Sequence, residues 1–289
     1  MSVMAKNTKN TTYKKSKPAA KRHKRNTAGK GKGGKKWQIR VNIWGIIGFL
    51  MILGISILWP YLSDRSPVEK GDIVPEGAYS YGIDISYYQD DIRWDSLMVL
   101  TDRARRTTRS KLTAKEIRPV SFVFIKATEG STMKDKSFRK HWIAAEEQSI
   151  RKGAYHFFRS SKSAEAQARN FIKTVGDIGP NDLPPVLDIE TIHRGCSHKT
   201  LNDKALHWLE RITEHYGRKP IVYSSASFIE DILCDEIKKN YPIWVAHYGT
   251  DRPRYDRWNI WQFSEKAIVY GIDGYADLNV CRSEFLKSL

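Results

Sequence analysis

Asp188 and Glu190 close the run Leu183, Pro184, Pro185, Val186, Leu187, Asp188, Ile189, Glu190. The run is otherwise apolar, and Val186 and Ile189 suit a parallel strand covered on both faces. Alternation puts Val186, Asp188 and Glu190 on one face and Leu187 and Ile189 on the other. The two acids therefore point the same way, with Cα atoms about 6 to 7 Å apart. Two charges at that distance repel by about 2 to 3 kcal/mol at an effective dielectric of about 20, which separates their pKa values by up to about two units. One carboxyl kept protonated beside one kept ionised is what acid/base catalysis needs. Two other readings fit these eight residues equally well: a salt bridge to Arg or Lys, or a cap for the next helix.

The elements that must position such a pair can be read from hydrophobic periodicity. Strands are expected at 81–86, 120–128, 153–158, 183–190 and 220–224, with helices at 138–150, 164–175 and 201–216 between them. Trp94, Leu97, Met98 and Leu100 suggest a further short helix, followed by a basic surface insertion at 101–118 that holds Arg103, Arg105, Arg106, Arg109, Lys111, Lys115 and Arg118. After residue 237 the pattern changes to strands alone, at 242–246, 259–263 and 274–279. Five βα units followed by three strands argue for an α/β fold, a TIM-like (β/α)5(β)3 barrel. In such a barrel the working residues sit where strands end. Asp84, Glu129, Tyr155, Asp188, Glu190, Tyr223, Trp244, Trp261, Gln262 and Asp277 all fall at or near those ends. An acid-lined mouth with aromatic walls suits a sugar polymer. Taken singly, Trp244 and Tyr223 read as packing, Glu129 as a salt bridge and His156 as a hydrogen-bonded core histidine; their coincidence at strand ends raises the functional reading.

The chain has 49 Lys and Arg against 32 Asp and Glu, a formal charge of +17. Residues 1–40 hold 14 of the basic residues and no acid, so the rest of the chain is only +3. That distribution argues against a nucleic-acid-binding domain and assigns the basicity to a disordered tail. Residues 41–59 carry no charge in 19 positions, and as a helix they would span about 28 Å, against a hydrocarbon core of about 30 Å. Trp37, Trp44, Trp59 and Tyr61 lie at or near the ends of this run, where aromatic belts are expected. A single uncleaved transmembrane helix is the expectation, contacting membrane lipid, with the tail cytoplasmic and the catalytic domain periplasmic or extracellular. Residues 60–78 read as a linker and 79–289 as one domain. Cys196, Cys234 and Cys281 allow one disulfide, with the pair undetermined. No Cys/His zinc spacing occurs, and neither a metal nor another cofactor is called for.

Five stretches taken in order resemble glycoside hydrolase family 25, the lysozymes or muramidases of (β/α)5(β)3 fold. They are YGIDIS at 81–86 with Gln89, FVFIKATEG at 122–130, GAYHFFR at 153–159, PPVLDIE at 184–190, and WQF with DGYADLN at 261–263 and 273–279. The resemblance implies hydrolysis of the β-1,4 bond between N-acetylmuramic acid and N-acetylglucosamine, with peptidoglycan as the partner. It also implies Glu190 as general acid, Asp188 as its partner, and Asp84 and Asp277 as further acids of the site. Tyr155, Tyr223, Trp261 and Gln262 are then expected to touch the saccharide, and Asp273 carries less weight than Asp277. Retaining, inverting and substrate-assisted mechanisms all stay open, since backbone rise does not fix the carboxyl separation. A domain that binds peptidoglycan without cutting it is the alternative.

Overall fold

The computed structural model describes residues 71–289. The expected tail at 1–40, the membrane run at 41–59 and the linker up to residue 70 lie outside the described residues. Ten strands occur among those described: β1 (Tyr79–Ile85), β2 (Met98–Thr101), β3 (Glu116–Glu129), β4 (Met133–Lys134), β5 (Arg151–Phe157), β6 (Val186–Asp188), β7 (Ile221–Ser225), β8 (Ile243–Ala246), β9 (Ile260–Ala267) and β10 (Ala276–Arg282). Eight of them close a barrel in the order β1, β3, β5, β6, β7, β8, β9, β10, and β10 returns to β1. Neighbours are parallel from β1 through β9, whereas β10 runs antiparallel to both β9 and β1.

Helices cross over after β3 (α1, Phe138–Glu147), β5 (α2, Ala164–Val175), β6 (α3, His198–Tyr216) and β7 (α4, Ala226–Asp231; α5, Asp235–Asn240), and α6 (Ser283–Ser288) follows β10. The side chains of Ser163 and Ser197 accept from the backbone N–H groups of Ala166 and Thr200, which caps α2 and α3. Phe171 of α2 and Trp208 of α3 pack on His156, whose ring stacks on Trp208 at 5.5 Å. His156 is fully buried between Thr128 Oγ1 at 2.7 Å and Gln167 Oε1 at 3.2 Å, and burial lowers its pKa to about 4, so it is a neutral core residue.

The barrel interior below the mouth is a second core of Phe122, Phe124, Leu183, Val186, Ile221 and Ile260. Two glycines make room for it. A Cβ on Gly82 would meet the Phe122 ring at 2.2 Å, and one on Gly153 would meet Phe124 at 2.7 Å. The glycines of YGIDIS and GAYHFF are thus set by close approach rather than by a turn.

Three expectations need correction. The segment expected as a helix around Trp94–Leu100 is a 3-10 turn (Trp94–Ser96) followed by β2, which pairs antiparallel with residues 116–119 at the start of β3; a distant partner decided what local pattern left ambiguous. The helix expected at 138–150 ends at Glu147, where Gln148 leaves helical geometry. The end of the expected linker belongs to the fold: Val74 N–H donates to Arg105 O at 2.9 Å and Thr107 N–H donates to Asp72 O at 3.0 Å, so residues 72–74 are stitched to the basic insertion. Cys196, Cys234 and Cys281 are all free thiols.

Candidate active site

At the mouth, Asp84 is the penultimate residue of β1, Asp188 ends β6 with Glu190 two residues beyond, and Asp277 lies near the start of β10. Because β10 runs antiparallel to β1, the register sets Asp277 directly opposite Asp84. All four acids line one cavity of about 300 Å³. Tyr155, Tyr223 and Gln262 line it too, together with Lys126, Trp244 and Tyr248.

Asp84 is the hydrogen-bonding hub. Its Oδ2 accepts from Gln262 Nε2 at 2.8 Å and from Asn279 Nδ2 at 2.7 Å. Behind each amide stands another donor. Tyr223 and Tyr248 hydroxyls donate to Gln262 Oε1 at 2.8 and 2.5 Å, and Trp244 Nε1 donates to Asn279 Oδ1 at 2.8 Å. Every bond in these two relays points its hydrogen toward Asp84, which favours the ionised form there. Burial still raises Asp84 above the ordinary carboxylate value, and these hydrogen bonds oppose that rise. Asp277 is pushed up to about 9, by burial first and then by the charge of Asp84, so it holds a proton at neutral pH.

Asp188 has the opposite surroundings. Asp188 is 7% exposed, and its Oδ1 is buried with no hydrogen-bond partner among the described residues. Burial, then the charge of Glu190, lifts its pKa well above the usual range, and Lys126 opposes the shift. Glu190 sits more openly at the rim and is also raised, chiefly by loss of water, with the Tyr223 hydroxyl and Lys126 pulling it back. Lys126 Nζ is 2.8 Å from Glu129 Oε2, and Glu129 also pairs with Arg159. Glu129 is therefore the expected salt bridge: burial raises its pKa, but Lys126 and Arg159 outweigh that and hold it below its ordinary value.

Trp261 does not join the cavity. It is 1% exposed, donates through Nε1 to His247 O at 2.7 Å, and packs edge-on against Trp258 and Phe263 outside the barrel wall. Alternation along β9 explains this, because Gln262 faces in and its neighbour must then face out. Asp273 is likewise absent, tied to Arg93 at the surface. Lys126 and Asn279 were missed, although both lie inside the quoted stretches FVFIKATEG and DGYADLN, and Asn279 stands two positions beyond Asp277. Tyr248 had no such signal, since it lies in the loop after β8.

The pattern of Glycosyl hydrolases family 25 matches residues 83–272. An uncharacterized protein YegX of Escherichia coli strain K12 is 38% identical over 210 residues, covering 72% of this chain and 71% of that one. Lysozyme M1 of Streptomyces globisporus is 30% identical over 212 residues, covering 68% and 66%. The crystal structure of the bacterial lysozyme from Streptomyces coelicolor superposes with a TM-score of 0.60 at 28% identity, over 73% of this chain and 97% of that one.

Proposed function

We propose that this chain, which belongs to glycosyl hydrolase family 25, is a muramidase that hydrolyses the β-1,4 bond from N-acetylmuramic acid to N-acetylglucosamine in peptidoglycan. The observation that carries the reading is the unpartnered Asp188 Oδ1, buried beside Glu190 in an acid-lined cavity of about 300 Å³, within the usual size range of ligand sites. A buried oxygen without a donor is costly unless something else supplies one. The N–H of a substrate 2-acetamido group is such a donor.

With that N–H in place, Asp188 is better solvated as the anion, and the proton shared between two crowded carboxyls moves toward Glu190. Glu190 then protonates the leaving oxygen, the acetamido carbonyl oxygen closes on the anomeric carbon, and Asp188 stabilises the cationic ring so formed. Glu190, now ionised, takes a proton from the water that opens the ring. Asp84 presents a second negative charge, held by its amide relays, while protonated Asp277 adds none. The 41–59 run, in the same reading, anchors the enzyme with its basic tail in the cytoplasm and its barrel on the wall side.

Digestion of purified sacculi by the wild type and Glu190→Gln tests the assignment. The wild type should release new reducing ends, and the variant at least about 100-fold fewer per unit time. Near-normal turnover by Glu190→Gln, or binding without cleavage by the wild type, would sink the reading.

A further inference from the structure

Glu190, Tyr223 and Tyr248 line the acid-bearing cavity and also a second one of about 530 Å³, which continues past Ser225 and Ser227 to His247 and Arg254. A third cavity, of about 510 Å³, shares His247 and Arg254 with the second and extends to Arg252 and Asp256. The three form a sequence, with Glu190 at the first junction and Arg254 at the second. The acids Asp84, Asp188 and Asp277 line the first, while the third holds two arginines and one aspartate.

A general acid stands between the ring that keeps its anomeric carbon and the ring that leaves. Glu190 therefore divides the groove into a first cavity for the retained ring and a second for the departing one. On the muramidase reading, on which this step rests, the departing ring is N-acetylglucosamine, which bears no peptide. The ring after it is N-acetylmuramic acid again, with a stem peptide that carries free carboxylates and an ammonium group. Alternation along the polymer thus brings a charged peptide to the third cavity.

We propose that Arg252 and Arg254 form a binding site for the stem-peptide carboxylates two rings beyond the cleaved bond on the leaving side, with Asp256 placed for the peptide ammonium. Arg254 is pre-positioned: its Nε lies 2.5 Å from Glu230 Oε2, and its backbone N–H donates to His247 Nδ1 at 2.9 Å. Glu230 thus orients the guanidinium, whose fork suits carboxylates. Arg252 is exposed, and its side chain has no partner among the described residues. Its backbone is held by Thr250, whose hydroxyl donates to Arg252 O at 2.9 Å. Asp256 is exposed beside the same cavity, so the site pairs unlike charges with a substrate group that is itself zwitterionic.

The test compares soluble, uncross-linked glycan strands with and without their stem peptides, cut by the wild type and by Arg252→Ala, a position that lines the third cavity and not the second. Arg252 is exposed, and far-UV circular dichroism confirms that the variant folds. The variant should show KM raised about tenfold on peptide-bearing strands, with kcat kept, and unchanged constants on stripped strands; charge-assisted hydrogen bonds are worth that much. Equal effects on both substrates, or none on the peptide-bearing one, overturn the site. Failure of the wild type on both substrates overturns the muramidase reading, and this inference with it.

Discussion

The lower interior of the barrel and its mouth are built by the same strands, one step apart. Gly82 gives way to Asp84, Phe124 to Lys126, Val186 to Asp188, Ile221 to Tyr223 and Ile260 to Gln262. Each step is two residues, the interval that keeps a side chain on the same face. Below the step the interior is apolar and fully buried; above it the same axis is lined with carboxyls. The lower layer makes the upper one work, because a fully buried apolar floor shields the acids from solvent beneath. Phe124 stacks on Trp244 at 4.6 Å, and Trp244 meets Tyr223 at 4.6 Å, so the floor of the mouth is a sealed aromatic layer.

The sharpest way to break this contrast is from below. Phe124→Ala removes a fully buried ring and should destabilise the fold by about 3–5 kcal/mol, measured as a lower denaturation midpoint in urea. Asp188→Asn works from above. It leaves the volume almost unchanged and removes a buried ionisable group, so the midpoint should hold or rise while turnover falls by about 100- to 1,000-fold. A variant that lost both stability and activity would show the two layers to be one unit.

A subtler difference lies in pH. Asp277 binds a proton up to about pH 9 when folded, but its carboxyl loses that proton near the ordinary value when unfolded. The folded state therefore holds more protons between about pH 4 and 9, and stability present at the acid end is lost as pH rises through that window. Asp277→Asn has no proton to give up, so its thermal midpoint should fall less between pH 5 and 9 than that of the wild type. An identical slope would show that the proton resides elsewhere in the cluster.

Much of this was legible beforehand because strand direction is local. The D-x-E spacing, the acid after YGI and the acid opposite it in DGYADLN each fixed a face or an end without tertiary knowledge. Trp261 failed for the same reason that Gln262 succeeded: neighbours on one strand cannot both face the mouth, and the alternation rule was there to separate them. What stayed hidden was long-range. Tyr248 reaches Gln262 from a loop, β2 exists because residues 116–119 pair with it, and the basic insertion holds residues 72–74 through backbone bonds that leave no trace in composition.

The antiparallel seam also sets a timetable. Asp84 is near the start of the described fold, yet one of its two amide donors, Asn279, stands 195 residues later in the chain. Contacts of such separation form late and carry a high loop-closure cost. A chain still emerging, or one cut short before Ala276, would have seven of the eight barrel strands but no Asp277, no Asn279 and an open wall beside Asp84. The capacity to cut would then arise only once β10 is made, so that this closing strand serves as the catch that arms the enzyme.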